Sequence, residues 1–114
     1  MVIHEECEVR TKMGGTGLGE AYVYNIESKE ELLGHGRLFA KIVLPPGSTI
    51  GWHQHVGETE PYYILSGEGT FTDTDGTVTL VHAGDICKIA VGGFHSMENK
   101  STENLEFIAL VHND

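Results

Sequence analysis

The chain has 114 residues, which suffices for one packed domain but is short for two independent cores. Hydrophobic residues make up 39%, far from a disordered composition. The formal charge is −10 at pH 7, from 17 acidic and 7 basic side chains. Such a surface repels phosphate backbones and anionic lipid headgroups, so neither nucleic acid nor a membrane is an expected partner.

The first residues and the cysteines predict a cytoplasmic protein. Residues 1–6 are acidic and lack the apolar stretch of a signal peptide. No run approaches the roughly 18 apolar residues that span a bilayer. Cys7 and Cys87 lie far apart and form no CxxC motif, so we expect two reduced thiols rather than a structural disulfide.

The N-terminal third contains a glycine-rich run, residues 14–19, that superficially resembles a phosphate-binding loop. Such a loop needs a hydrophobic strand before it and a helix after it. Here residues 8–12 are a poor strand, and residues 20–24 are typical of a strand rather than a helix. The pattern therefore favours a flexible connector over a nucleotide site.

Residues 28–34 predict one short helical turn. Ser28 and Glu31 have the spacing of a capping box, and Gly34 is a typical helix terminator.

The sequence after Gly36 consists of short runs of strand-forming residues separated by turn residues. Asp75-Gly76, between two Thr-rich runs, predicts a hairpin. This spacing indicates an all-β sandwich or barrel. In the first predicted strand, Leu38, Ala40, Ile42 and Leu44 alternate with the remaining residues and should face the core. The predicted strands are residues 37–44, 49–55, 61–66, 69–74, 77–81, 85–89, 95–99 and 105–111.

Three histidines and a glutamate form the main candidate site. His53 and His55 are two residues apart, so on a strand both imidazoles point to one face. Residues 56–59 then supply a turn that places Glu60 beside them, and His95 enters from a distant strand. Any one of these histidines could be an ordinary polar side chain, but the combined spacing favours a metal site.

Three imidazole nitrogens and one carboxylate oxygen suit a divalent transition metal: Fe, Mn, Ni, Co or Zn. Calcium would require more oxygen ligands, and a closed structural zinc site would usually contain more thiolates. The donor set leaves coordination positions for water or a substrate.

Two segments carry a resemblance to the cupin superfamily, to its small single-domain members. Residues 47–67 fill every marked position of the first cupin motif, G-x5-H-x-H-x4-E-x6-G. Residues 84–99 resemble the second, G-x5-P-x-G-x2-H-x3-N, with Ala90 in place of the proline. The resemblance covers roughly residues 36 to 112.

This resemblance implies a double-stranded β-helix, a small jelly-roll barrel with its metal inside one mouth. It implies that His53, His55, Glu60 and His95 are the metal ligands. Single-domain cupins are often homodimers, so residues 1–35 are expected to form an N-terminal arm, and residues 36–114 the barrel. The arm would carry the short helix and pack on the barrel or on a second subunit.

Two further residues are candidates for catalysis. Tyr62 shares the strand parity of Glu60, so its hydroxyl could reach a bound substrate; a core or interface tyrosine is the alternative. Glu58 lies close to the ligands in the chain and could be a general base, although a solvated loop carboxylate is more common. Met97 shares the parity of His95 but is expected to be mainly a core residue. Trp52 should face away from the histidines.

The function expected from the resemblance is metal-dependent chemistry on a small oxygenated metabolite, a sugar or a carboxylic acid. The reaction would be of the isomerase, lyase, decarboxylase or dioxygenase type. The alternative is a non-catalytic small-molecule sensor or binding cupin; a purely structural metal is a third reading. Oxalate decarboxylation is less expected. In the pattern of those enzymes an arginine shortly before the first ligand histidine holds the substrate carboxylate, whereas residues 48–52, ahead of His53, contain no arginine. The presence of Glu60 disfavours a thiol dioxygenase.

Overall fold

The structure, a computed structural model, describes residues 1–114 and contains β-strands but no helix. No helix therefore exists that could cross a membrane. The predicted all-β cupin barrel is confirmed. The strands are β1 (Cys7–Thr11), β2 (Glu20–Glu27), β3 (Gly36–Leu44), β4 (Thr49–Gln54), β5 (Glu58–Thr59), β6 (Tyr62–Ser66), β7 (Gly69–Thr72), β8 (Val78–Val81), β9 (Ile86–Cys87), β10 (Phe94–Glu98) and β11 (Leu105–Asn113).

The strands form two sheets that enclose one core. The larger sheet has the order β1-β2-β3-β11-β6-β9, with β5 paired to the end of β11, and the smaller has the order β4-β10-β7-β8. Buried side chains from both sheets form a single hydrophobic cluster. Leu38, Ala40, Ile42 and Leu44 are all buried in it, as their alternation predicts.

All eight strands predicted after Gly36 overlap an observed strand. Asp75-Gly76 does join a hairpin, in which β7 and β8 pair antiparallel. One short strand was missed: residues 56–59 were predicted as a turn, yet Glu58 and Thr59 form β5 against β11. Because β5 pairs with residues far along the chain, no local sequence pattern predicts it.

The first strand corrects an expectation about residues 8–12. This segment is a poor strand by composition, but β1 pairs with β2 over five residues. Strand formation depends on cross-strand partners more than on intrinsic preference, and here Val9 lies opposite Tyr22. The larger sheet is thereby extended beyond β3.

Residues 12–19 are not the flexible connector that the sequence favoured. They lie along β4, and we call them the N-terminal strap. Gly51 N donates to Met13 O at 2.9 Å, and Thr49 N donates to Leu18 O at 2.9 Å. Leu18 N in turn donates to Thr49 Oγ1 at 2.8 Å. The strap is thus hydrogen-bonded to the strand that carries His53.

The predicted helical turn at residues 28–34 is present only as a hydrogen-bonded turn. The capping box forms: Glu31 N donates to Ser28 Oγ at 3.1 Å, and Ser28 N donates to Glu31 Oε1 at 2.9 Å. Leu33 and Gly34 then adopt left-handed φ angles of 55° and 82°, which ends the turn before a helix develops. Packing of residues 1–35 on a second subunit stays a prediction.

Candidate metal centre

The four residues of the candidate site come together at one mouth of the barrel. His53, on β4, lies directly opposite His95, on β10. His55 immediately follows β4, and Glu60 lies between β5 and β6. One ligand atom from each of the four lies within 4.8 Å of all the others. The cluster predicted from the sequence spacing could therefore hold one metal ion.

The ligand atoms converge closely. His55 Nε2 lies 3.0 Å from His53 Nε2 and 2.9 Å from His95 Nε2. Glu60 Oε1 lies 3.1 Å from the Nε2 atoms of both His55 and His95. Three imidazole nitrogens and a carboxylate oxygen thus point at a common centre.

The hydrogen bonds of the Nδ1 atoms of His53 and His55 indicate whether a cation fits between the Nε2 atoms of the same rings. His53 Nδ1 donates to Gly51 O at 2.6 Å, and His55 Nδ1 donates to Glu58 Oε1 at 2.7 Å. Since a neutral imidazole carries only one N–H, the Nε2 atoms of these rings present lone pairs to each other. A positive ion between them converts this repulsion into coordination, so the donor set fits a divalent transition metal.

Electrostatics hold two of the donors, Glu60 and His53, in forms that suit a metal. Burial alone raises the pKa of Glu60, but the close contacts with the His55 and His95 imidazoles outweigh burial and lower that pKa to about 2. Glu60 is therefore a carboxylate at neutral pH although its exposure is only 4%. Burial lowers the pKa of His53, which favours the neutral, coordinating imidazole.

Glu58 has a different environment from that of a free general base. Besides His55 Nδ1, it accepts hydrogen bonds from Arg37 Nη2 at 2.7 Å and Arg37 Nε at 2.9 Å. The Arg37 hydrogen bond is the main cause that lowers the pKa of Glu58. A carboxylate held on both sides in this way is placed to orient His55. The geometry therefore favours a positioning role over the predicted catalytic one.

Tyr62 lies where its strand parity predicts. Its ring is buried, stacks on His95 with a centroid separation of 5.3 Å, and lines the pocket beside the cluster. Burial is the main cause that raises the pKa of Tyr62 well above its usual value, and the charge of Glu60 adds to it. The hydroxyl is thus a hydrogen-bond donor at neutral pH. Its catalytic role stays a prediction.

Met97, Trp52 and His82 lie outside the candidate metal cluster. Met97 is fully buried in the hydrophobic cluster. Trp52 is exposed and stacks on Phe94 with a centroid separation of 5.7 Å. The exposed His82 lies within hydrogen-bonding distance of Glu68, with Nε2 3.0 Å from Oε2.

A pocket of about 280 Å³ opens beside the cluster and contains two arginines that the sequence analysis missed. Arg37 belongs to the non-core set of β3, but its side chain reaches the pocket and binds Glu58. Arg10 comes from β1, a strand that composition did not favour. Arg10 pairs with a core-facing residue of β2, which indicates the face of the sheet from which its side chain projects. This pairing is evident only once β1 is recognised as a strand.

One curated sequence and one solved structure from Thermotoga maritima resemble this chain over most of their length. One is an oxalate-binding protein, 46% identical over 95 residues, or 83% of this chain and 78% of the relative. The other is the crystal structure of a predicted oxalate decarboxylase, 42% identical, with a TM-score of 0.91 and full coverage of both chains.

A more distant structure shares the fold alone. The cupin domain of an XRE family transcriptional regulator from Enterobacter cloacae is 22% identical, with a TM-score of 0.69 over 82% of this chain and 97% of the domain. The family model for the cupin domain matches residues 40–111. These residues contain all four converging side chains, and the chain belongs to the cupin domain family.

Proposed function

We propose that this protein binds a small dicarboxylate anion of the oxalate class on a divalent transition metal held by His53, His55, Glu60 and His95. The single observation that carries the proposal is that three of these converging donors, His53, His55 and Glu60, line one pocket together with two arginines. When bound, the metal supplies a Lewis acid with coordination positions open to a chelating anion.

The charge of the pocket favours an anion. A divalent ion and two arginines would contribute four positive charges, and the carboxylates of Glu8, Glu58 and Glu60 would offset three of them, which leaves one net positive charge. This local excess lies in a chain with a formal charge of −10, so it is not a property of the whole surface. Charge complementarity of this kind selects the ligand and speeds its association.

The pocket also bears on the sequence argument against oxalate decarboxylation. That argument relied on the absence of a cation in residues 48–52, immediately before His53. Arg10 and Arg37 reach the pocket from β1 and β3 instead. The similarity to an oxalate-binding relative of 46% identity supports the same ligand class.

The residues that line the pocket favour ligand binding without turnover. Decarboxylation of oxalate breaks the carbon–carbon bond, releases CO2 and requires a proton at the remaining carbon to give formate. Apart from the candidate metal donors and the two arginines, Tyr62 is the titratable group that lines the pocket. Its raised pKa makes it a weak acid, and Glu58 is held by Arg37 and His55.

A decarboxylase is the second candidate, and the similarity to a predicted oxalate decarboxylase supports it. In that case Tyr62 would be the proton donor. It is buried, lines the pocket and stacks on His95, so its hydroxyl would lie close to a bound anion.

Calorimetry on protein loaded with Mn(II), Co(II) or Zn(II) tests the proposal. We expect oxalate to bind the loaded wild type and not the metal-free protein or the His53→Ala/His55→Ala variant. Equal binding with and without metal, or no binding after loading, would contradict it. Formate is measured in the same samples: its release, abolished by Tyr62→Phe, would favour the decarboxylase.

A further inference from the structure

Building on the proposed function, we propose that Arg10 is a specificity-determining residue that binds the part of a dianionic ligand that extends away from the metal. The N-terminal strap, which follows it in the chain, holds it in place. Together they form a wall of the ligand pocket that the barrel itself does not provide. This assigns a role to the glycine-rich run, which matches no nucleotide-binding pattern.

The register of β1 directs Arg10 into the barrel mouth. Arg10 lies opposite Ala21 in the β1–β2 pair, and directly opposed residues of an antiparallel pair project from the same face. Ala21 is buried in the hydrophobic cluster, so this face is the inner one. Arg10 accordingly lines the same pocket as His53 and His55.

The interactions of Arg10 leave its guanidinium available. Nε donates to Glu8 Oε1 at 2.9 Å, and Nη2 donates to Glu8 Oε2 at 3.4 Å. Nη1 has no acceptor within the chain. Both partners are substantially exposed, with side-chain exposures of 37% and 51%, and exposed ion pairs contribute little to stability. A purely structural role for this arginine is therefore poorly supported, whereas a carboxylate ligand would occupy the free donor.

Two glycines allow the strap to lie against the metal site. A Cβ at Gly14 would lie 2.6 Å from Gly51 O and 2.9 Å from His53 Nδ1. A Cβ at Gly17 would lie 2.5 Å from Thr49 O. Any side chain at either position would push the strap away from β4, because the obstructing atoms are mainly backbone. The strap also covers the His53–Gly51 hydrogen bond that directs His53 Nε2 toward the other donors.

The strap and Arg10 lie outside the part of the chain that the cupin family model matches. That match begins at residue 40, whereas residues 10, 11, 13 and 14 all line the pocket. The barrel therefore supplies the candidate metal ligands, and the N-terminal segment supplies the wall opposite them. Ligand choice is expected to depend on this segment and metal choice on the barrel.

The first test compares oxalate and acetate binding by calorimetry in metal-loaded wild type, Arg10→Ala and Arg10→Lys. For Arg10→Ala we expect a loss of oxalate affinity of roughly ten- to hundredfold, as for removal of a charged hydrogen bond. Acetate affinity should fall much less, metal affinity should not fall, and Arg10→Lys should recover part of the loss of oxalate affinity.

The second test uses a pair of matched glycine variants. Gly14 and Gly15 both have left-handed φ angles, 74° and 81°, so alanine causes similar backbone strain at each. Only at Gly14 would the new Cβ meet β4, since nothing lies within 4 Å of a Cβ at Gly15. Gly14→Ala should weaken oxalate binding about tenfold or more, and Gly15→Ala should bind nearly as wild type. Thermal melts of both variants confirm that they fold.

The outcomes separate the two proposals. If loaded wild type binds oxalate and Arg10→Ala binds it equally well, this inference is overturned and the proposed function stands. Equal effects of Gly14→Ala and Gly15→Ala on oxalate binding would overturn the role of the strap but not that of Arg10. If loaded wild type does not bind oxalate, both proposals fail.

Discussion

Replacement of Glu58 tests how the site orients its ligands. Glu58 accepts a hydrogen bond from His55 Nδ1 at 2.7 Å, and its side chain is 14% exposed. In Glu58→Ala the His55 ring loses the partner that fixes its tautomer and direction. The Arg37–Glu58 ion pair is also lost, which leaves the charge of the half-exposed Arg37 uncompensated near the metal site.

Both effects weaken metal binding. Loss of the partner of a coordinating histidine typically costs 10- to 100-fold in metal affinity, or about 1.4 to 2.7 kcal/mol. Because the Arg37 charge adds repulsion, we expect Glu58→Ala to lie near the upper end. In Glu58→Gln the amide oxygen still accepts from His55 Nδ1, so the loss should be closer to tenfold.

Competition titration with a chromogenic chelator and Co(II) gives the metal affinities. Glu68→Ala is the matched control, because it removes a carboxylate from a histidine pair of similar length, 3.0 Å, on the surface. We expect the control to bind metal as wild type does. Wild-type metal affinity in Glu58→Ala would refute the positioning role of Glu58. An equal loss of metal affinity in Glu68→Ala would show that the loss is a general effect of removing a negative charge.

Three further predictions concern stability, reactivity and assembly. Ile42→Ala should lower the free energy of unfolding by about 2 to 5 kcal/mol in chemical denaturation, since Ile42 is fully buried, whereas exposed Ile86→Ala should change it by less than about 0.5 kcal/mol. Burial raises the pKa of the Cys87 thiol to about 12. An Ellman assay at pH 8 should therefore detect only exposed Cys7 in the folded protein and both thiols after denaturation; two rapidly reacting thiols in the native state would contradict this. Light scattering should give twice the mass of one chain, as the homodimer implied by the cupin resemblance predicts, and a monomer mass would exclude it.

The candidate metal cluster was predictable because its signal is local and its pattern is unusual. His53 and His55 are fixed by strand periodicity, and Glu60 follows after one tight connection. His95 requires a distant pairing, which the resemblance to the second cupin motif supplied. The structure accordingly brings together the four residues that the sequence singled out.

The anion-binding side of the pocket was not predictable from local pattern. Arg10 depends on the pairing of β1 with β2, and residues 8–12 have weak strand preference. Arg37 belongs to the non-core set of β3 and reaches the pocket through a long side chain bound to Glu58. The glycines of the strap matched a loop pattern, but their purpose, close approach to β4, is visible only in three dimensions.

Elemental analysis of the purified protein after reconstitution tests the central claim most directly. Wild type is compared with the His53→Ala/His55→Ala variant, with thermal melts to confirm folding. The converging donors predict one equivalent of Fe, Mn, Ni, Co or Zn per wild-type chain and its loss in the variant. A wild type without metal after reconstitution, or a variant that retains a full equivalent, would contradict the metal centre and the ligand-binding function that depends on it.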